Sequence, residues 1–214
     1  MKVKICGLTD PKEAQYLNEN HADFAGMVLF FPKSKRNITI DRAKEIMSKL
    51  DQTIKKTAVV VSPTTEQLRQ IASAGFDYVQ IHGKIPEQIE SILSIPVLKA
   101  FNVSDMEQYE SFHKNPAIAG YVFDAQEAGS GKTFDWTLIE QIPRDEKLLI
   151  LAGGLDPQNV KEAIRCVRPD GVDVSSGVET EEGRGKDPKK IRAFIQAART
   201  SQMPEGITDR EENV

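Results

Sequence analysis

Cysteine is scarce in this chain: 214 residues hold only Cys6 and Cys166. Two cysteines 160 positions apart form no disulfide framework, which fits a reducing cytoplasm. Histidine is almost as rare. His21 and His113 fall on helical patterns, so with His82 they give no metal site, and neither metal nor cofactor is expected. An excess of one charge is also lacking. The 28 Lys and Arg against 32 Asp and Glu leave a formal charge of −4. The stretch from Thr200 to Val214, with four acids and one arginine, carries −3 of it, so the remainder is close to neutral. That excludes a basic face for nucleic acid or an anionic membrane. No apolar run is long enough to span a bilayer, and the first residues lack a signal-peptide pattern. No G-x-G-x-x-G follows the first apolar run, which argues against an open, doubly wound sheet.

What is present is regular alternation. Short apolar, β-branched runs recur at Val3–Ile5, Phe24–Phe30, Thr57–Val61, Tyr78–Ile81, Val97–Phe101, Gly120–Phe123, Leu148–Leu151 and Gly171–Val174. Helical patterns with start signals lie between them. Asp10-Pro11-Lys12-Glu13 reads as N-cap, first helical residue and reciprocal capping partner. Asp41 to Leu50 puts Ala43, Ile46, Met47 and Leu50 on one stripe. Thr64 to Gln67 and Ser104 to Glu107 read as capping boxes, and Asp156-Pro157 and Asp187-Pro188 as N-cap plus proline. Cys166 sits inside a helical pattern and reads as packing. The weakest helix follows Trp136 and is soon stopped by Pro143. Eight strand signals alternating with eight helices predict parallel βαβ units closing into a single-domain (β/α)8 TIM barrel over residues 1–199. The competing open, doubly wound sheet is disfavoured by the repeat count. Residues 200–214 lose periodicity and read as a polar, acidic, disordered tail.

In a (β/α)8 barrel the chemistry belongs at the C-terminal ends of the strands. The first strand ends at Cys6, and Gly7 turns the chain away. By residue type alone a cysteine there is a small buried hydrophobe. The second runs into Phe31-Pro32-Lys33-Ser34-Lys35-Arg36, where Arg36 suits a carboxylate because a guanidinium binds it with two parallel hydrogen bonds. Lysine and arginine in such a loop are more often solvated surface charge. The fourth ends at His82, a lone histidine of the sort more often structural; a thiolate pair with Cys6 lacks a third group. The sixth ends at Asp124, costly to desolvate without a purpose. The following Gly129-Ser130-Gly131-Lys132-Thr133 lacks the G-x-x-x-x-G-K-[ST] spacing, which argues against nucleotide hydrolysis. The seventh and eighth end in Gly153-Gly154 and Ser175-Ser176-Gly177. Those glycines serve either tight turns or, as two adjacent loops favour, a phosphate site. A ligand with a phosphate at one end and a carboxylate at the other fits Cys6 and Asp124 as proton-transfer groups between them.

With these pieces in order the chain resembles the phosphoribosylanthranilate isomerase family of tryptophan biosynthesis, over about residues 1–198. The likeness rests on Lys4-Ile5-Cys6-Gly7-Leu8-Thr9, Ser34-Lys35-Arg36, Gln80-Ile81-His82-Gly83, Asp124 with Gly129 to Trp136, Leu151-Ala152-Gly153-Gly154-Leu155 and Asp173-Val174-Ser175-Ser176-Gly177-Val178-Glu179. The resemblance implies a cofactor-free Amadori rearrangement of N-(5-phosphoribosyl)anthranilate to 1-(2-carboxyphenylamino)-1-deoxyribulose 5-phosphate. It implies Asp124 as general acid on the ring oxygen and Cys6 as general base on the C2 proton. Arg36 would face the anthranilate carboxylate and Asp173 the sugar. Gly153, Gly154, Ser176 and Gly177 would hold the phosphate. The partner would be a small phosphosugar, with no nucleic acid or membrane, and the protein a monomer or homodimer.

Two departures from the family pattern stand out. Ala128 replaces a common glycine, and Glu181 to Asp187 is unusually charged. Three rivals remain. The histidine-pathway aminoaldose isomerase carries an Asp where Cys6 stands and needs a second phosphate site. Ribulose-phosphate epimerase needs a His-rich metal site. A phosphate-binding module without chemistry would not need both Cys6 and Asp124.

Overall fold

The computed structural model describes residues 1–102, 109–124, 135–140, 142, 144–183 and 185–201. The expected capping box at Ser104, the loop from Gly129 to Phe134, Ala128, Pro143, Arg184 and the chain beyond Ser201 lie outside the described residues.

Eight parallel strands form the barrel: β1 (Lys2–Cys6), β2 (Phe24–Leu29), β4 (Lys55–Val61), β5 (Tyr78–His82), β6 (Val97–Asn102), β7 (Ile118–Asp124), β8 (Leu148–Leu151) and β9 (Gly171–Val174). A two-residue strand, β3 (Asn37–Ile38), pairs only with β2. Closure is direct: β1 pairs with β2 on one side, Cys6 opposite Gly26, and with β9 on the other, Lys4 opposite Asp173. The β-branched runs suit strands buried on both faces. Cys6, His82 and Asp124 are the last residues of their strands, so each points chemistry at the rim.

The helices are α1 (Glu13–Glu19), α2 (Ile40–Met47), α3 (Thr65–Ala74), α4 (Ile89–Ile92), α5 (Tyr109–His113), α6 (Thr137–Glu140), α7 (Val160–Val167) and α8 (Pro188–Thr200). Several begin as their sequences dictate. Thr64 Oγ1 accepts from Gln67 N at 3.2 Å while Gln67 Oε1 accepts from Thr64 N at 2.9 Å, a complete capping box on α3. Asp187 caps α8 by accepting from Lys189 N at 2.7 Å. At Asp10 and Asp156 the side chain instead caps a turn one residue or more ahead of the helix. Asp10 accepts from Lys12 N at 2.9 Å, and Asp156 from Gln158 N at 2.7 Å and Asn159 N at 2.9 Å. The α2 stripe holds, but its cap is Thr39, two residues before the expected start. His21 lies in the turn after α1 rather than on a helix.

Two apolar cores result. The larger fills the space between strands and helices: Ile5, Met27, Ile81, Phe101, Tyr121 and Phe194 are among its members, and Cys166 packs against it. The smaller is inside the barrel and comes only from β6, β7, β8 and the residue after β8: Leu98, Ala100, Val122, Ile150 and Ala152. The other half of the interior mixes Phe24 and Val59 with buried polar groups. Lys4, Thr57, Gln80 and Asp173 are all buried there, on β1, β4, β5 and β9. A barrel filled by apolar layers needs no such residues, so this half is built for something other than packing.

Candidate active site

A cavity of about 460 Å³ opens at the C-terminal rim. Its lining includes Cys6, Arg36, Asp124, Gly153, Gly154, Asp173 and Ser176, seven of the eight residues expected from the sequence. Gly177, the eighth, is not part of the lining. Its absent side chain serves packing: a Cβ there would run into the Leu155 carbonyl oxygen and lie 3.0 Å from Asp156 Cα. Gly177 therefore lets the loop after β9 lie directly on the loop after β8. Gly153 and Gly154 both have positive φ, 85° and 65°, a left-handed turn that bulkier residues resist. That turn brings bare backbone to the cavity wall, held by Asn159 Nδ2 donating to the Gly154 carbonyl at 2.8 Å.

Cys6 stands at the closure of the barrel. Lys4, two residues back, shares its face of β1. A Cβ added to Gly26 would sit 2.8 Å from Cys6 Sγ and 3.1 Å from Lys4 Nζ, so thiol and ammonium converge over that glycine. The Lys4 ammonium also donates to Asp173 Oδ2 at 2.7 Å, with both side chains almost wholly buried. Burial pushes the Cys6 thiol up; Lys4 pulls it down, Asp173 pushes it up and Lys186 pulls it down, and the net is a thiol above its ordinary value. Burial works against the Lys4 charge, but Asp173 and Cys6 outweigh it and hold the ammonium above its usual range. The second oxygen of Asp173, Oδ1, is buried without a hydrogen-bond partner. Asp173 thus divides its carboxylate: one oxygen for Lys4, one left for a ligand donor.

Arg36 is anchored rather than free. Its Nε donates to Glu179 Oε1 at 2.5 Å and its side chain is mostly buried. Lys35 donates to Glu179 Oε2 at 2.8 Å, and Lys186 Nζ lies 3.5 Å from Oε1. Lys186 also donates to the Ser175 carbonyl at 3.0 Å, and Ser175 Oγ in turn donates to the Cys6 carbonyl at 3.0 Å. Glu13, expected as a capping partner, does reach back to Asp10 N at 3.1 Å, but its other oxygen accepts from Lys186 N at 2.7 Å. Buried Glu13 therefore ties the start of α1 to the loop before α8. Lys4, Glu179 and Lys186 are the site residues to which strand-end reasoning gave no role. Lys4 was legible from the two-residue period of a strand; Lys186 sits in an irregular loop and had no periodic signal.

His82 lines the cavity, with Gln80 Nε2 and His82 Nε2 2.9 Å apart. Burial, then the charges of Lys4 and Lys99, bring its pKa down to about 4. It is a neutral imidazole at pH 7 and makes no ion pair with Cys6. Among the described residues no group of His, Cys, Asp and Glu could hold a metal ion. No helix there is long and apolar enough to cross a membrane. Opposite Cys6, Asp124 ends β7 and faces the same cavity. The arrangement offers a thiol, a carboxyl group, an anchored guanidinium and a bare backbone turn around one small-molecule volume.

Comparison with known proteins gives a single picture. Residues 3–197 match the family model described as N-(5'phosphoribosyl)anthranilate (PRA) isomerase. The N-(5'-phosphoribosyl)anthranilate isomerase of Listeria monocytogenes is 42% identical over 204 residues, covering 93% of this chain and 98% of that one. The Bacillus cereus enzyme is 44% identical over 200 residues, covering 91% and 96%. The crystal structure of phosphoribosyl anthranilate isomerase from Thermotoga maritima superposes with a TM-score of 0.82 at 38% identity, covering 94% of this chain and 99% of that one. With a family model spanning nearly the whole barrel, and relatives matched end to end at this identity, the chain belongs to the phosphoribosylanthranilate isomerase family.

Proposed function

We propose that this chain rearranges N-(5'-phosphoribosyl)anthranilate to 1-(2-carboxyphenylamino)-1-deoxyribulose 5-phosphate, with Asp124 as general acid and Cys6 as general base. The observation that carries the reading is that Cys6 and Asp124, at the ends of β1 and β7, line one cavity with Arg36 and the Gly153-Gly154 turn. A structural relative with a TM-score of 0.78 and 37% identity was solved in complex with reduced 1-(o-carboxyphenylamino)-1-deoxyribulose 5-phosphate. A ligand of that kind carries a phosphate, a polyol chain and an aromatic carboxylate, and the cavity offers a group for each.

The chemistry follows from the residue types. Asp124 in its neutral form donates a proton to the furanose ring oxygen, and the ring opens to an iminium. Cys6 as thiolate then takes the C2 proton, giving the enolamine, which tautomerises to the ketone. Each proton transfer contributes on the order of 10²–10⁴ in rate. The thiol is held above its ordinary value in the free protein, and a cationic iminium beside it favours the thiolate at the moment it is needed. Arg36 receives the anthranilate carboxylate through the guanidinium edge that Glu179 leaves open. Asp173 Oδ1 accepts a sugar hydroxyl. Gly153-Gly154 and Ser176 take the phosphate, with Gly177 supporting the two loops from behind.

Purified protein given fresh phosphoribosylanthranilate is expected to consume its fluorescence without added metal or cofactor. Cys6→Ala and Asp124→Asn each cut turnover by roughly 10²-fold or more while leaving the circular-dichroism spectrum unchanged. Ordinary turnover in either variant would falsify the acid/base assignment. The Thermotoga maritima relative is described as dimeric; for this chain, sedimentation decides between the monomer and homodimer expected from the sequence.

A further inference from the structure

We propose that Lys4 is a positioning residue for the reaction: its ammonium, anchored on Asp173, orients the Cys6 sulfur and stabilises the thiolate that takes the substrate proton. This rests on the reading of Cys6 as the base and deepens it. A buried lysine inside a barrel is an expensive group. A side chain chosen only to fill the interior would be apolar, as Leu98, Val122 and Ile150 are across the barrel. Lys4 instead reaches two acidic groups at once. Its Nζ is 2.7 Å from Asp173 Oδ2, directly across the β1–β9 ladder. It also converges with the Cys6 sulfur above Gly26, whose missing Cβ leaves room for both heads.

The charges show why the arrangement works. With Cys6 a thiol, the Lys4–Asp173 pair is neutral overall and buried without penalty from a lone ion. With Cys6 a thiolate, the three groups carry one net negative charge, and Lys4 sits between the two anions. The groups facing the sulfur are Lys4 on its own strand, Asp173 on β9 and Lys186 from the loop before α8, with Arg36 acting on Lys186. Gly26, opposite Cys6 on β2, brings no charge. Of the two cations, Lys4 pulls the thiol down more than Lys186 does.

The test measures the thiol itself, without substrate. Iodoacetamide labelling of Cys6 is followed against pH by mass spectrometry of the Cys6 peptide, which separates it from Cys166. In Lys4→Met the pH of half-maximal labelling is expected to rise by about one unit or more. Turnover falls by roughly 10²-fold while KM changes by less than about threefold. The double variant Lys4→Met/Asp173→Asn, which buries no lone charge, keeps a labelling midpoint above that of the parent but closer to it. An unchanged midpoint in folded Lys4→Met overturns the proposal. If Lys4→Met does not fold, a midpoint in the double variant at or below the parent's overturns it. Turnover surviving in Cys6→Ala would instead sink the role of Cys6, a result that the labelling midpoint does not touch.

Discussion

The Nε of Arg36 donates to Oε1 of Glu179 at 2.5 Å, and the opposite oxygen of the same carboxylate accepts from Lys35 at 2.8 Å. Glu179 is therefore the anchor that fixes both Lys35 and Arg36 in the loop after β2. Burial pushes its carboxyl up, but hydrogen bonds from Arg36 and Lys35 and the charge of Lys186 more than offset this and hold it below the usual range. Glu179→Gln keeps the shape and removes the charge. The expected result is a KM for substrate raised roughly 10-fold with kcat changed far less, since a charge-assisted hydrogen bond is worth about 1.5–3 kcal/mol. Steady-state kinetics check this; an unchanged KM would mean that Arg36 needs no anchor.

His82 sets an acid limb on stability. Its folded-state pKa is about 4, against about 6.5 for an unfolded histidine. Below pH 6.5 the unfolded chain takes up a proton that the folded protein refuses. Stability is thus fully present above pH 6.5 and is lost as pH falls toward 4, by up to about 3 kcal/mol. Urea denaturation between pH 7 and 4 should show this slope, and His82→Gln should flatten it. A slope identical in the variant would show that His82 is not the group responsible.

Gly177→Ala tests the packing of the two loops behind the cavity wall. The new Cβ meets backbone, the Leu155 carbonyl and Asp156 Cα, neither of which moves freely. The expected cost is about 1–3 kcal/mol of stability, together with a raised KM as the Gly153-Gly154 turn shifts. Thermal melting and kinetics read the two effects; a variant as stable as the parent would mean that the two loops are not in direct backbone contact at Gly177.

Much of this was legible in the sequence because strands and caps are local. Thr64 with Gln67, and Asp187 with Pro188, announce their helices by side-chain hydrogen bonds made within a few residues. Cys6 and Asp124 were legible as strand-end residues because a closed barrel brings every strand end to one rim. What stayed hidden is long-range. Glu179 reaches Arg36 across 143 positions, and Lys186 N reaches Glu13 across 173. No spacing rule links such residues; only closure of β1 onto β9 brings them together. Gly177 is ambiguous for a related reason: a glycine needed for close backbone approach looks, in a sequence, the same as one that frees an N–H for phosphate.

Gly26→Ala carries the most direct test of how the thiol is seated. Gly26 lies opposite Cys6 in the β1–β2 ladder. An added methyl would stand 2.8 Å from Cys6 Sγ, 3.1 Å from Cys6 Cα and 3.1 Å from Lys4 Nζ. The backbone atom is fixed by the strand, so the sulfur and the ammonium must give way. Moving a catalytic group by even about 1 Å costs on the order of 10²-fold in rate. The expected variant folds, with stability lowered by about 1–3 kcal/mol for overpacking. Its kcat drops by roughly that factor, while its KM stays near the parent's because Arg36 and the Gly153-Gly154 turn are untouched. Wild-type kcat in Gly26→Ala would mean that the sulfur has room to move without consequence, and the tight seat of Cys6 between Lys4 and Gly26 would then have no catalytic meaning.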